Sequence, residues 1–293
     1  MMINTDGLVK RYGDHVALDG VNLAVAEGSV YGLVGPNGAG KTTLLAVLSG
    51  MRRPTGGSLH IAAPRHRMAL LPDTPQFDPW LTGREVVALA RGLVHAPVPV
   101  ARIDDVLRDA GLIDAAGRRV GGYSRGMLQR LGIAATVIGE PELLLLDEPA
   151  SALDPAGRRE VLDLLARLRG RATVLLSSHI LADVQEVCDT VGVLRAGRLL
   201  YQGPLDSLLV GRAVPAYQIV LGPPVEPVME RLRTEDWTTG VDRVGAGRLR
   251  VGVRSLEEAQ LRLPHVLAEC EARVISLAPE AADLEDVFLE LTS

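Results

Sequence analysis

Hydrophobic positions in the N-terminal two-thirds of the chain fall into short runs separated by turns. Gly7 to Val9, Val16 to Leu18, Val21 to Val25 and Val30 to Val34 read as strands. Leu143 to Leu146 and Thr173 to Leu176 are near-continuous apolar runs bounded by polar residues. Runs of that kind suit parallel strands buried on both faces. Pro155 to Leu168 lies between them with helical spacing, which completes a β–α–β unit. Arg84 to Val94 and Val100 to Ala110 also carry helical spacing, divided by the breaker Pro97-Val98-Pro99. Val191 to Leu194 and Arg198 to Tyr201 flank Ala196-Gly197 as a hairpin.

The pattern changes after Gly203-Pro204. A strand (Tyr217 to Leu221), a helix (Val225 to Arg233) and two strands (Val241 to Val244, Leu249 to Val253) follow. A helix (Leu256 to Cys270) and a strand (Arg273 to Leu277) complete a β-α-β-β-α-β order, which resembles a small ferredoxin-like domain. Asp283 to Leu291 reads as a closing amphipathic helix. These patterns predict an α/β domain over 1–208, with a helical subdomain near 78–140, and an α+β accessory domain over 209–293.

The strand Val30 to Val34 runs into Gly35-Pro36-Asn37-Gly38-Ala39-Gly40-Lys41-Thr42-Thr43, and Leu44 to Leu48 begins a helix. Strand, glycine-rich loop and helix in that order form a phosphate-binding loop. Glycines allow successive backbone N–H groups to converge on an anion, and the helix N-terminus adds its positive dipole end. Lys41 supplies a point charge for the β- and γ-phosphates, and the Thr42 hydroxyl suits Mg²⁺. The only lysines are Lys10 and Lys41 in a chain whose other basic residues are arginines. A compact ammonium is thus kept where a forked guanidinium does not fit. The loop predicts a nucleoside triphosphate with Mg²⁺, and by itself leaves kinases, GTPases and ATPases open.

Composition excludes several classes. The chain has 293 residues and 47% hydrophobic content, yet no apolar run long enough to span a bilayer. It shows no basic-then-apolar leader, so a cytosolic location is expected. A net charge of −5 argues against a nucleic-acid partner. Cys188 and Cys270 are too few for a disulfide scaffold or a metal site and are expected to be buried small apolar residues.

The run Leu143 to Leu146 ends in Asp147-Glu148. Asp147 at the strand end suits the Mg²⁺ shell. Glu148 is placed to polarise an attacking water as general base. Two acids after a strand also serve as a solvated strand end or helix cap; the loop upstream favours the first reading.

With these residues in order, the chain resembles the ATP-binding-cassette (ABC) ATPases over roughly residues 3–203. The resemblance implies a P-loop NTPase fold with a mixed sheet core. It implies that Tyr12 stacks on adenine, that Ser124 and Gly126 belong to the signature segment facing a phosphate, and that Asp154 ends the D-loop begun at Ser151. It gives His179 the role of γ-phosphate switch. Two departures stand out. The signature reads Tyr123-Ser124-Arg125-Gly126-Met127 in place of Leu-Ser-Gly-Gly-Gln, with Arg125 either solvated or adding charge near the phosphate. Asp73 stands where the family places a glutamine that reaches Mg²⁺, so its metal role is left open.

The resemblance further implies a head-to-tail pair of cassettes, here a second copy or a homologous chain, with ATP between one P-loop and the partner's signature. It implies a separate polytopic permease and a peripheral position on the inner face of the cell membrane. Phe77, Trp80 and Leu81 read equally as the floor of a groove for that permease or as local core. The C-terminal ending and the variant signature resemble cassette subunits of ABC-2-type exporters. The competing reading is a cytosolic ABC ATPase acting on nucleic acid or the ribosome; the second cassette, coiled coils, zinc cysteines or basic arms usual there are missing. A non-cassette kinase is disfavoured by the signature segment and Ser151 to Asp154. The accessory domain reads either as a regulator of the dimer or as a structural appendage.

Overall fold

The computed structural model describes residues 1–95, 97–151, 153–212 and 215–280. They divide into two units, Met1–Asp206 and one beginning at Ser207. In the first unit β1 (Ile3–Tyr12) pairs antiparallel with β2 (His15–Val21) and β3 (Ala24–Val25). β4 (Val30–Val34) leads through the glycine loop into α1 (Lys41–Leu48). β5 (Gly56–Ile61) returns to pair with β1, and β6 (Met68–Leu71) starts the edge of a second sheet.

Three helices follow, α2 (Gly83–Leu93), α3 (Arg102–Asp109) and α4 (Arg125–Val137), and they pack on one another. The entry to α2 is a capping box: Glu85 N–H donates to Thr82 Oγ1 at 3.2 Å and Thr82 N–H to Glu85 Oε2 at 2.7 Å. That Thr82 N–H holds the Glu85 carboxyl below its usual range. β7 (Leu143–Leu146), α5 (Pro155–Ala166), β8 (Thr173–Ser178), α6 (Leu181–Val187), β9 (Thr190–Arg195) and β10 (Arg198–Pro204) complete the unit.

The second sheet has the order β10-β9-β4-β8-β7-β6, parallel from β9 to β6. Every residue of β4, β7 and β8 is buried, as their unbroken apolar runs require. Parallel strands bring their C-terminal ends to one edge. The loops after β4, β7 and β8 therefore meet there. The β9–β10 hairpin turns at Ala196 (φ 48°) and Gly197 (φ 77°), a two-residue loop whose twist matches the strands.

The second unit contains β11 (Ala216–Leu221), α8 (Glu226–Arg233), β12 (Thr238–Gly245), β13 (Arg248–Val253), α9 (Leu256–Glu269) and β14 (Val274–Pro279). The helix α7 (Leu205–Arg212) precedes them. The sheet is antiparallel with order β12-β13-β11-β14, the strand order of the split βαβ arrangement. Val228, Leu232, Leu263 and Leu267 from the two helices are buried with Trp237 against the sheet. Trp237 satisfies its one polar atom by donating to Glu235 Oε2 at 2.6 Å.

Several expectations need correction. β5 and β6 do not read as strands from sequence, because β5 starts on two glycines and is half exposed, and β6 has only four residues before Pro72. The third predicted helix begins at Arg102 rather than Val100, the two residues before it forming a turn. Cys188 is buried, and burial pushes its thiol far up, leaving a neutral packing group. Cys270 is only half-buried. Trp80 is 73% exposed and is not local core. The expected helix Asp283 to Leu291 lies outside the described residues.

Gly32, in the middle of β4, faces α6, and a Cβ there would lie 2.9 Å from Cys188 Sγ and closer still to Val184. Gly32→Ala is expected to lower stability by about 1–3 kcal/mol through overpacking. A thermal melt reads this as a lower midpoint, and adding Val184→Ala is expected to recover part of the loss. An additive double variant would mean that the two sites do not touch.

Candidate nucleotide-binding site

The loop after β4 is held open by backbone contacts. Ala39 N–H donates to the Pro36 carbonyl at 3.1 Å, and the Ala39 carbonyl accepts from Gly197 N–H at 2.9 Å. Gly40, the N-cap of α1, has φ 108°, and a Cβ there would stand 2.6 Å from the Ala17 carbonyl oxygen. Only glycine fits both the conformation and the space. No side chain caps α1, so its first N–H groups stay free to meet an anion.

Lys41 is 6% exposed and sits at the positive end of that helix dipole. Its Nζ donates to the Gly35 carbonyl at 2.7 Å and the Pro36 carbonyl at 3.4 Å. It also lies 3.3 Å from Glu148 Oε1. The other oxygen of Glu148 faces His179, with Oε2 at 2.8 Å from Nδ1 and 3.3 Å from the donating backbone N–H. One carboxylate thus joins the ends of β4, β7 and β8. Glu148 holds φ 48°, a left-handed conformation that costs a non-glycine residue on the order of 1 kcal/mol. Strain of this kind collects at functional sites.

Beneath Glu148, Ser177 ties two neighbours together. Its hydroxyl donates to Asp147 Oδ1 at 2.6 Å and accepts from Glu148 N–H at 2.9 Å. Asp147 and Ser177 are both buried. Asp73 sits across the site, where its Oδ1 accepts from the Ser151 hydroxyl at 2.9 Å.

A cavity of 340 Å³ opens over the loop, lined by Asn37 to Thr43 together with Asp73 and Glu148. Its remaining lining residues, His15 and Ala17, escaped the sequence reading. Their signal is the β1–β2 hairpin, whose register sets Tyr12 opposite His15. Tyr12 itself is 44% exposed, with Lys10 Nζ 4.9 Å from its ring centroid, and does not line the cavity. Ser177 was also missed as a participant. Its signal is the polar pair Ser177-Ser178 closing an otherwise apolar run.

The remaining candidates lie elsewhere. Ser124 is the N-cap of α4 and accepts from Met127 N–H at 3.2 Å. Asp154 is the N-cap of α5 and accepts from Gly157 N–H at 3.1 Å. Neither they nor Gly126 line the loop cavity. Arg125 is exposed, whereas Tyr123 is buried and donates to the Ala115 carbonyl at 2.7 Å, a packing role.

The oxygens near the loop, the Thr42 hydroxyl and the carboxylates of Asp73 and Asp147, are hard donors of the kind Mg²⁺ prefers. A positive loop faced by such donors suits a phosphate chain carrying a divalent cation.

The ABC transporter family profile matches residues 18–151. The uncharacterized ABC transporter ATP-binding protein YxlF of Bacillus subtilis (strain 168) is 33% identical, over 99% of this chain and 99% of that protein. The daunorubicin resistance ATP-binding protein DrrA3 of Streptomyces coeruleorubidus is 37% identical, over 99% of this chain and 95% of its own. The bacitracin transport ATP-binding protein BcrA of Bacillus licheniformis is 37% identical over 71% of each chain. Among solved structures, an ATP-binding subunit of an ABC transporter superposes with a TM-score of 0.65 at 28% identity, over 72% of this chain and 93% of that one. A dimeric ATP-binding cassette bound to ADP and Pi shares the fold, with a TM-score of 0.63 at 23% identity over 70% of this chain and 99% of its own.

Lys41→Ala is expected to remove charge-assisted phosphate contacts of about 1.5–3 kcal/mol. Equilibrium binding should show ATP affinity lowered roughly tenfold to over a hundredfold. Undiminished binding would sink the assignment of the loop.

Proposed function

We propose, for a chain that belongs to the ABC transporter family of ATP-binding proteins, that it binds and hydrolyses ATP to drive a separate exporter-type permease. The observation that carries this reading is the Glu148 carboxylate held between Lys41 and His179 at the mouth of the loop cavity. Incoming phosphates take over Lys41 and so release Glu148. The freed carboxylate then accepts a proton from the attacking water, while His179 keeps it oriented. Thr42, Asp147 and Asp73 would hold Mg²⁺, which when bound neutralises charge on the phosphate oxygens.

Ser124 and Asp154, away from the loop cavity, are proposed to meet the nucleotide of a second cassette, their exposed helix N-termini completing its phosphate site. Tyr12 is proposed to contact the base. The exporter assignment rests on the daunorubicin and bacitracin relatives, which are ATP-binding proteins of resistance and transport. No helix among the described residues is long and apolar enough to cross a membrane; the permease is proposed to be another chain.

A groove of 650 Å³ between β6, α2 and α4 suits a segment of that permease. Phe77, Leu71 and Ile138 line it, and Leu93 is 80% exposed at its edge. Of the other sequence candidates for its floor, Trp80 and Leu81 do not line it.

Two outcomes are expected. Glu148→Gln keeps ATP binding but slows hydrolysis by roughly 10²–10⁴-fold, the usual worth of a positioned general base. Turnover assays check this, and normal turnover would remove Glu148 from that role. Leu93→Asp should retain ATP binding and thermal stability yet lose co-purification with a polytopic membrane protein. Undiminished recovery from membranes would move the docking site away from the groove.

A further inference from the structure

A further hollow of the cassette unit lies at the other end of the central sheet. The nucleotide cavity sits at the C-terminal ends of β4, β7 and β8. This cleft lies where β6, β7 and β8 begin, between the last turns of α4 and α5 and the helix α3. Its volume is 730 Å³, within the range of about 300–1,000 Å³ usual for small-molecule sites. The floor is apolar, with Val106, Val137, Leu144 and Leu164 among its residues.

Its charge runs against that of the chain. The protein carries a net charge of −5, yet four arginines line this cleft against two carboxylates, Asp109 and Glu140. Arg67 is spoken for by Glu142, with Nε at 3.1 Å from Oε1. Arg102 pairs electrostatically with Glu140, its Nε 3.7 Å from Oε1, but that Nε is buried without a hydrogen-bond acceptor. Arg167 and Arg171 are exposed and meet no carboxylate among the described residues. A buried donor without a partner costs about 1–3 kcal/mol, and an anion in the cleft would satisfy it. Guanidinium forks match the planar oxygens of a carboxylate or phosphate in two-point contacts. The C-terminal ends of α4 and α5 bring partial negative charge to the cleft, which the arginines also offset.

We propose that this cleft is a binding site for a small organic anion in solution, with a carboxylate or phosphate monoester head and an apolar body. The head meets Arg102, Arg167 and Arg171, and the body lies on Val106, Val137 and Leu164. The site touches the C-terminal ends of α4 and α5, whose N-caps are Ser124 and Asp154. The cleft lies at the opposite ends of the strands from the nucleotide loop and shares no lining residue with the loop cavity, so binding there is spatially distinct from the nucleotide loop.

Titration calorimetry on the full chain tests this with decanoate and decyl phosphate as probes, decanol as the neutral control and inorganic phosphate as the headgroup alone. Saturable one-to-one binding of both anionic probes is expected, with each competing against the other. R167E/R171E is expected to weaken it at least ~tenfold, while ATP affinity and thermal midpoint stay unchanged. Decanol binding as tightly as decanoate would overturn the proposal, since the arginines would then be idle. So would anion binding that survives the double charge reversal, or the absence of any binding. Recruitment to phosphatidylglycerol vesicles without a response to decanoate would also overturn it, by pointing to a lipid surface.

Discussion

The cassette unit depends on a single carboxylate held between a lysine and a histidine that follow separate strands. Glu148 has one oxygen 3.3 Å from Lys41 Nζ and the other 2.8 Å from His179 Nδ1. Lys41 stands at the helix end where a positive charge is least welcome, so it needs a compensating anion. Parallel pairing of β4, β8 and β7 brings the three residues to one edge. Ser177 keeps the acid in place by accepting from its backbone and donating to Asp147. Lys41 and Glu148 thus offset one another's charge within the site.

Much of this was legible because its physics is local. A loop of glycines between an apolar strand and a helix declares an anion site within one stretch of chain. Asp147 and Glu148 declare themselves by following four buried leucines. What stayed hidden depends on pairing between distant segments. β5 and β6 lack the length or burial that marks a strand, and they form because β1 and β7 give them partners. His15 enters the cavity only because of hairpin register, which a one-residue slip would reverse. Asp73 finds Ser151 across 78 residues of sequence, a contact no spacing rule contains. Trp80 carried an ambiguous signal, since an aromatic next to prolines serves a core or a surface equally well.

The second unit is simpler to account for. Its alternating strands and two amphipathic helices bury one shared face around Trp237, whose indole N–H finds Glu235 two residues away. Arg262 covers the outer side of that ring at 5.7 Å while meeting Glu235, Asp236 and Glu258. Such a module stands on its own core, which separates its stability from the chemistry of the loop.

The contact between Lys41 and Glu148 also sets a threshold for what enters. Any visiting anion competes with a tethered carboxylate whose effective concentration is high, and screening by salt is weak at 6% exposure. A lone inorganic phosphate offers Lys41 little more than Glu148 already does. A chain of three phosphates gains additional N–H contacts along the loop and so outbids the internal acid. The ion pair therefore sets a competition that a longer phosphate chain is better placed to win than a short anion.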